Sequence, residues 1–297
     1  MIKGRLSVII PNRNSIFTNK TITDALTKAV GDIEIVINID QDWPDPIIDD
    51  KRITYIHPSQ PGGMRRAINS AIRVAKGEYI IKADDHVMFG EGFDEILKAN
   101  HLEDNWVQIP RRYALDAENW KIEERTDNKY PIDAMSIDFP RKGKSNDDGF
   151  HGVEWREYRD KNIDIELLET PSLQGSAYFM TRSYFTDFLE GLHEEGYGQF
   201  AQEAQEIGMK TWLGGGKLIT NKKTHYAHLH KGKVYGRMYK MPGGVVEADS
   251  WSASHWLNNE EPKMVHTFSW FINEKFPNMP GWPIDWEEQI KEMEWIK

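Results

Sequence analysis

Short apolar runs alternate with segments of helical periodicity over the first hundred residues. Residues 6–10, 33–39 and 53–56 are rich in aliphatic side chains, a pattern typical of strands buried in a parallel sheet. Between them, apolar side chains at helical spacing predict helices over residues 19–30 and 62–77. Strands that alternate with helices in this way predict an α/β fold with a mostly parallel sheet and right-handed crossovers.

Polar side chains follow three of the predicted strands at the point where each strand ends. Asn12 and Arg13 follow the first strand, and residues 40–42 carry two carboxylates after the second. Residues 82–86 follow another apolar strand at 78–81. Ligands of open α/β sheets bind at the carboxyl ends of the strands. The sequence therefore predicts a ligand site at this edge of the sheet.

Residues 82–86 read Lys-Ala-Asp-Asp-His and place two carboxylates and an imidazole at the end of a buried strand. Carboxylates placed side by side repel each other or need costly desolvation, and a divalent cation relieves that conflict. Carboxylate oxygen and imidazole nitrogen suit Mn²⁺ or a similar ion, which can also hold a diphosphate. A solvated turn after the strand is the alternative, and these five residues alone leave both interpretations open.

The periodic pattern weakens between residues 103 and 169, where we predict a strand at 106–109 and an exposed loop at 141–149. It returns with a strand at 175–180 and a helix at 199–209. The weak middle region is expected to hold the most variable part of the binding surface.

The C-terminal third contains three chemically distinctive segments. Three histidines within six residues, His225, His228 and His230, are typical of a metal-binding tract, although a single buried histidine is more often structural. Residues 231–246 contain four glycines and are predicted to form a lid over a ligand. Residues 247–297 are rich in tryptophan, and we favour a cap that buries aromatic surface over a platform that stacks on sugars or bases.

Composition narrows the class of protein. The 297 residues, of which 39% are hydrophobic, suffice for one large α/β domain or two small ones. A net charge of −10 argues against a surface devoted to nucleic acid or anionic membrane, although a local basic groove is allowed. The chain has no cysteine and no apolar run approaching the ~20 residues of a membrane span. With no recognisable signal peptide, we expect a cytoplasmic protein, or one in the host cytoplasm if phage-encoded, without a membrane partner.

Four features follow one another along the N-terminal part of the chain. They are a strand ending at Pro11, a second strand ending in acidic residues, a helix entry from Gly63 to Asn69, and residues 75–80 before the acidic motif. In this order they resemble the family-2-like group of glycosyltransferases. The resemblance implies a GT-A fold, that is, a Rossmann-like mixed sheet flanked by helices, here with a Trp-rich C-terminal cap.

The second half is similar to the catalytic domain of polypeptide N-acetylgalactosaminyltransferases. The similarity rests on residues 175–185, on Glu203 and Glu206 as that family's glutamate pair, and on residues 212–216. Residues 200–202 depart from the family's W-G-G, and Ala204 replaces its Asn. We also expect no lectin domain after the catalytic domain. The resemblance therefore supports the donor site better than a peptide acceptor.

The same resemblance implies a metal site. Asp84 and His86 match the family's D-x-H motif, and His228 falls where the family has its third metal ligand. The implied cofactor is Mn²⁺ (or Mg²⁺), bound together with a UDP-sugar donor. His225 and His230 compete with His228 for the third position.

We expect a donor-binding surface around this metal. Asp40 and Asp42 would accept hydrogen bonds from the nucleobase and ribose, with a solvated turn as the alternative. Arg65 or Arg66, at a helix N-terminus, could meet the diphosphate, with one of the two left at the surface. The predicted donor-binding residues are Pro11, Asn12, Arg13, Asp40, Asp42, Gly63, Arg65, Arg66, Asn69, Asp84 and Asp85.

The predicted catalytic residues are Glu203, Trp212 and Lys231. Glu203 would orient the acceptor if the enzyme retains anomeric configuration, or act as general base if it inverts. Glu206 is expected to be a solvated helix charge. The predicted catalytic domain spans residues 1–246, with a nucleotide-binding half (1–100), an acceptor half (101–230) and the lid (231–246), followed by the extension at 247–297.

The resemblance thus implies a metal-dependent glycosyltransferase that moves a sugar from a nucleotide-sugar, which we expect to be UDP-linked, to a hydroxyl acceptor with retention. The acceptor is open: a glycan, a protein, a small molecule or modified DNA. One alternative is a phage-type enzyme that glycosylates hydroxymethylated bases in DNA. An alternative of another class is a non-catalytic protein that binds nucleotide-sugars or carbohydrate on the same fold.

Overall fold

The computed structural model describes residues 1–13, 15–125, 127, 129–141, 149–230, 235–236 and 243–295. The strands within this part of the chain are β1 (Ile2–Asn12), β2 (Ile33–Ile39), β3 (Ile53–Ile56), β4 (Gly77–Ala83), β5 (Val87–Phe89), β6 (Trp106–Asp116), β7 (Lys121–Ile122), β8 (Met135–Ile137), β9 (Gly152–Glu154), β10 (Leu167–Glu169), β11 (Ala177–Thr181) and β12 (Lys217–His228). The helices are α1 (Thr18–Lys28), α2 (Gly63–Val74), α3 (Phe93–Ala99), α4 (Arg156–Lys161), α5 (Glu203–Leu213), α6 (Val245–Leu257), α7 (Phe268–Trp270) and α8 (Trp286–Glu292), with π-helical turns at Tyr184–Phe188 and Phe271–Lys275.

A mixed sheet organises the molecule. Its main path runs β10-β12-β6-β11-β4-β1-β2-β3, and β5 and β7 pair with β12 and β6. Strands β4, β1, β2 and β3 are parallel, whereas β11 runs antiparallel to both β4 and β6. The carboxyl ends of β1, β2 and β4 therefore meet at one edge, as the alternating sequence pattern predicts.

The first hundred residues fold as their hydrophobic pattern dictates. All seven residues of β2 are buried, which fits a strand covered on both faces. Helix α2 presents Ala67, Ile68, Ala71 and Ile72 as its buried face and packs on β1 and β2. This spacing of apolar residues places one stripe of the helix against the sheet.

Several predicted boundaries shift. The strand predicted at 6–10 extends over Ile2–Asn12, and the one at 106–109 extends to Asp116. The helix predicted at 199–209 begins only at Glu203, because Gln202 has a φ of +57° in the left-handed region, which a helix cannot include. That turn places Glu203 in the first turn of α5.

The Trp-rich extension packs as a cap, as we favoured. Trp256, Trp286 and Trp295 are at most 5% exposed and belong to the same hydrophobic core as the strands. The indole of Trp282 donates a hydrogen bond to the Ile137 carbonyl at 2.8 Å. Trp251 is the more exposed exception, at 37%.

In the part of the chain that the structure describes, no helix combines the length and the apolar character needed to cross a membrane.

Candidate active site

A cavity of about 700 Å³ opens at the carboxyl edge of the parallel strands. Its walls come from the ends of β1, β2, β4 and β12, and from the first turns of α2 and α5. Eight of the sequence-predicted site residues line it besides the metal-binding candidates His86 and His228, namely Pro11, Asn12, Arg13, Asp40, Gly63, Asp84, Asp85 and Glu203. The topology thus brings together side chains that are up to about two hundred positions apart in the sequence.

The predicted metal ligands form one cluster on the cavity wall. Asp84 and His86 follow β4, His228 ends β12, and their candidate ligand atoms all lie within 4.8 Å of one another. Oδ2 of Asp84 is 3.2 Å from Nε2 of His228 and 3.9 Å from Nε2 of His86. Oxygen and imidazole donors at this spacing suit a borderline divalent cation such as Mn²⁺.

The electrostatics of the cluster favour its metal-binding protonation states. Burial lowers the pKa of His228 to about 3, so its imidazole is neutral near pH 7, as a ligand must be. Burial by itself would raise the pKa of Asp84, but the Lys82 ammonium and the His228 imidazole hold it well below its usual range. Asp84 is therefore ionised and His228 neutral, which is the state that can coordinate a cation.

Asp85 orients His86. Its Oδ1 lies 2.6 Å from Nδ1 of His86, and its Oδ2 accepts a hydrogen bond from the Asn12 amide at 3.1 Å. A carboxylate bound to one ring nitrogen fixes the tautomer that exposes the other nitrogen to a metal. Asp85, which was predicted among the donor-binding residues, lines the cavity directly behind His86.

Glu203 reaches the cavity from the first turn of α5 and is only 7% exposed. The Tyr178 hydroxyl donates to its Oε1 at 2.9 Å, and Nζ of Lys82 lies 3.3 Å from the same oxygen. Burial raises the pKa of Glu203, and these two donors oppose that rise. A Cβ on Gly175 would come within 2.7 Å of Glu203 Oε2, so a larger residue at this position would displace the Glu203 carboxylate.

Asp40 follows β2 and lines the cavity. Its Oδ1 accepts a hydrogen bond from the Gly62 amide at 2.8 Å, and Nε of Arg13 lies 3.5 Å from its Oδ2. Gly63, with a φ of +80°, starts α2 beside it and has the Gln199 side chain within 2.7 Å of its would-be Cβ. Asp42 is exposed and lies outside the cavity lining, so the structure separates the two predicted carboxylates.

Neither Arg65 nor Arg66, one of which was predicted to meet the diphosphate, lines the cavity. Arg65 is fully buried; its guanidinium pairs with Glu206 and donates to the carbonyls of His193 and Ala201. Glu206 is itself fully buried, so its assignment as a solvated charge is wrong. Arg66 is largely exposed and bonded to Glu194, outside the cavity lining.

Two further predicted residues are structural. The Asn69 amide donates to the Leu192 carbonyl at 2.8 Å, and its oxygen accepts from the Leu192 amide, so it fixes a loop and does not face the cavity. Trp212 is 1% exposed, donates its indole N–H to the Thr170 carbonyl at 3.1 Å and packs against Phe276. Trp212, which was predicted to be catalytic, is therefore a core residue outside the cavity lining.

The structure places the histidines of residues 225–230 differently from one another, and it describes only part of the predicted lid. His225 packs edge-on against Tyr113 and lies outside the cavity lining, whereas His230 lines the cavity 5.2 Å from the His228 ring. Lys231 lies outside the described residues, as does most of the predicted lid. Of that segment, Gly236 lines the cavity, and the Tyr235 ring packs 5.2 Å from Phe17.

Sequence reasoning assigned no role to Lys82, which is fully buried and lines the cavity. The signal was present, because a lysine two positions before Asp84 directly follows the apolar run at residues 79–81. Asn12 was predicted to bind the donor, and its contact with Asp85 was missed.

Comparisons with known proteins support the fold. The chain superimposes with a TM-score of 0.69 on the crystal structure of GalNAc-T7 with UDP, GalNAc and Mn²⁺, at 15% identity, covering 94% of this chain and 58% of that one. It superimposes with a TM-score of 0.52 on S. aureus TarS 1-349 in complex with UDP-GlcNAc, at 14% identity, covering 87% of this chain and 68% of that one. The predicted GT-A fold is therefore confirmed.

Sequence comparisons identify the family. The chain is 25% identical over 202 residues to polypeptide N-acetylgalactosaminyltransferase 12 of Mus musculus, a match that covers 67% of this chain and 33% of that protein. The chain therefore spans about a third of the length of this curated relative. Residues 7–185, more than half of the chain, match the family described as Glycosyl transferase family 2, and the chain belongs to that family.

Proposed function

We propose that the protein transfers a sugar from a UDP-sugar to a hydroxyl acceptor and requires Mn²⁺ (or Mg²⁺) to do so. The observation that carries this proposal is the Asp84–His86–His228 cluster on the wall of a cavity of about 700 Å³. Family membership supports glycosyl transfer. The likeness to one structure holding UDP, GalNAc and Mn²⁺ and another holding UDP-GlcNAc supports the choice of donor and metal.

The residues divide into two groups by task. Asp40 and Arg13, beside the first turn of α2, would hold the nucleoside end of the donor. Asp84, His86 and His228 would hold the cation, which neutralises charge that develops on the leaving diphosphate. Asp85 and Asn12 keep His86 oriented for that purpose.

The first prediction concerns donor binding. UDP with Mn²⁺ is expected to raise the melting temperature, because a ligand that binds only the folded state stabilises it, by about 2.7 kcal/mol at a hundred times its Kd. Asp40→Asn should weaken this shift, since the amide cannot replace both acceptor oxygens of the carboxylate. Thermal melts with UDP, CDP, GDP and ADP test the assignment. A strong shift with another nucleotide and none with UDP would show that the uridine assignment is wrong.

The second prediction concerns stereochemistry. Lys82 and Tyr178 both contact Oε1 of Glu203, so that oxygen is already occupied and is not free to take the proton of an incoming hydroxyl. In the proposed reaction the acceptor oxygen bonds to the anomeric carbon, the bond to the leaving phosphate breaks on the same face, and that phosphate takes the proton. An α-linked donor is thus expected to give an α-linked product.

The anomeric coupling constant of the product, measured by NMR, tests this expectation. A β-linked product from an α-linked donor would overturn retention and make Glu203 the general base. Glu203→Gln alone cannot decide, because we expect it to slow both mechanisms.

A further inference from the structure

Lys82 is a fully buried lysine at the centre of the sheet. It lies on β4 directly opposite Tyr178 of β11. Residues directly opposite each other in an antiparallel pair point to the same face of the sheet. The first turn of α5 covers this face, which is why Glu203 meets both side chains.

The Lys82 ammonium has three oxygen partners. It donates to Oδ1 of Asp84 at 2.7 Å and to the Gly175 carbonyl, and it lies 3.3 Å from Oε1 of Glu203. An ammonium group has three N–H donors, so these acceptors satisfy it completely. Three directional contacts hold the charge at one position, between the end of β4 and the start of α5.

In this arrangement the two carboxylate oxygens of Asp84 contact different groups. Oδ1 is engaged by Lys82, while Oδ2 is turned toward the histidines, 3.2 Å from Nε2 of His228. Without Lys82, the carboxylate could rotate about its last torsion, and either oxygen could face the cluster. Asp84 and Glu203 would also lose the cation that lies between them, and like charges disfavour each other at short range.

We propose that Lys82 is a positioning residue for the metal site. It holds Asp84 so that a single oxygen faces the cation, and its second carboxylate contact ties this ligand to Glu203 at the start of α5. The inference rests on the proposed function, because it concerns the metal that the transfer requires. Partners that orient metal ligands typically contribute about 10- to 100-fold to metal affinity or activity.

Direct measurement of Mn²⁺ binding tests the proposal without relying on turnover. Free Mn²⁺ is quantified by EPR in titrations of the full chain with UDP present. Lys82→Met is expected to raise the Mn²⁺ dissociation constant by about 10- to 100-fold. Because Lys82→Met alone leaves Glu203 without its cation and can fail to fold, the double variant Lys82→Met/Glu203→Gln is measured as well, with the same expected loss.

A matched control separates positioning from general destabilisation. Lys222 is also a largely buried lysine, with a side chain 5% exposed and a hydrogen bond to the Asn162 carbonyl, but it lies outside the cavity lining. Lys222→Met should bind Mn²⁺ as the parent protein does. Parent-like Mn²⁺ affinity in the folded double variant would overturn this inference alone. Absence of Mn²⁺ binding by the parent protein with UDP would overturn the proposed metal requirement along with it.

Discussion

Replacing Asp84 by alanine is expected to reduce turnover of a UDP-sugar by about a thousandfold while leaving the protein folded. Asp84 is the one carboxylate in the described cluster of three candidate ligands, so its loss removes the only negative charge that binds the cation there. Metal stabilisation of a leaving phosphate contributes several kcal/mol, and each ~1.4 kcal/mol is a factor of ten in rate. Initial rates of UDP release, with circular dichroism to confirm the fold, measure the effect.

Two histidines on the same strand provide the matched comparison. His228→Ala should cause a loss similar to that of Asp84→Ala, because it removes a second ligand from the cluster. His225→Ala removes an imidazole three positions earlier on β12, outside the cavity lining, and should retain most of the activity. Equal losses from the two histidine variants, or full activity in excess EDTA, would contradict the metal assignment.

The carboxyl-edge site was predictable because its determinants are local. Each strand is a short apolar run, and each is followed directly by the polar residues that line the cavity. Parallel pairing then brings Asn12, Asp40 and Asp84 to one edge whatever the details of packing. The third ligand, His228, needed the family resemblance, since spacing alone did not separate it from His225 and His230.

The sequence-based predictions that failed concern residues whose burial depends on partners far away in the sequence. Arg65 and Arg66 are adjacent in α2, and periodicity gives no reason to place an arginine in the core. Arg65 is buried because Glu206, 141 positions later, and the carbonyls of the loop before α5 satisfy its guanidinium. Glu206 looked like a solvated charge for the same reason, because its partner is far away in the sequence.

Lys82 shows a different limit of prediction from the sequence. Its place two positions before Asp84 was visible in the sequence, but Glu203 and Gly175 reach it only through the fold. Sequence spacing identifies residues that could bind a ligand, and three-dimensional contacts identify the residues that orient them.

Arg65 also provides the stability prediction with the largest expected effect. Its guanidinium and the Glu206 carboxylate are both fully buried, and Glu206 also accepts from Lys210 at 2.8 Å and from the His193 amide at 3.0 Å. Removing one member of a buried ion pair leaves the other charged group with part of its partners missing, which typically costs about 3–5 kcal/mol. We therefore expect Arg65→Met to lower the free energy of unfolding by that amount in urea denaturation.

Arg66→Met is the control, because it removes the neighbouring arginine of the same helix, whose side chain is 61% exposed. Its ion pair with Glu194 is at the surface, where such pairs contribute little, so the free energy of unfolding should stay close to that of the parent protein. The comparison also separates the two roles considered for Arg65. If Arg65→Met unfolds like the parent protein but loses the thermal shift with UDP, Arg65 binds the diphosphate after all, and the buried ion pair is not its main role. If it is destabilised while its folded fraction still binds UDP, Arg65 stabilises the loop that precedes Glu203 and does not contact the donor.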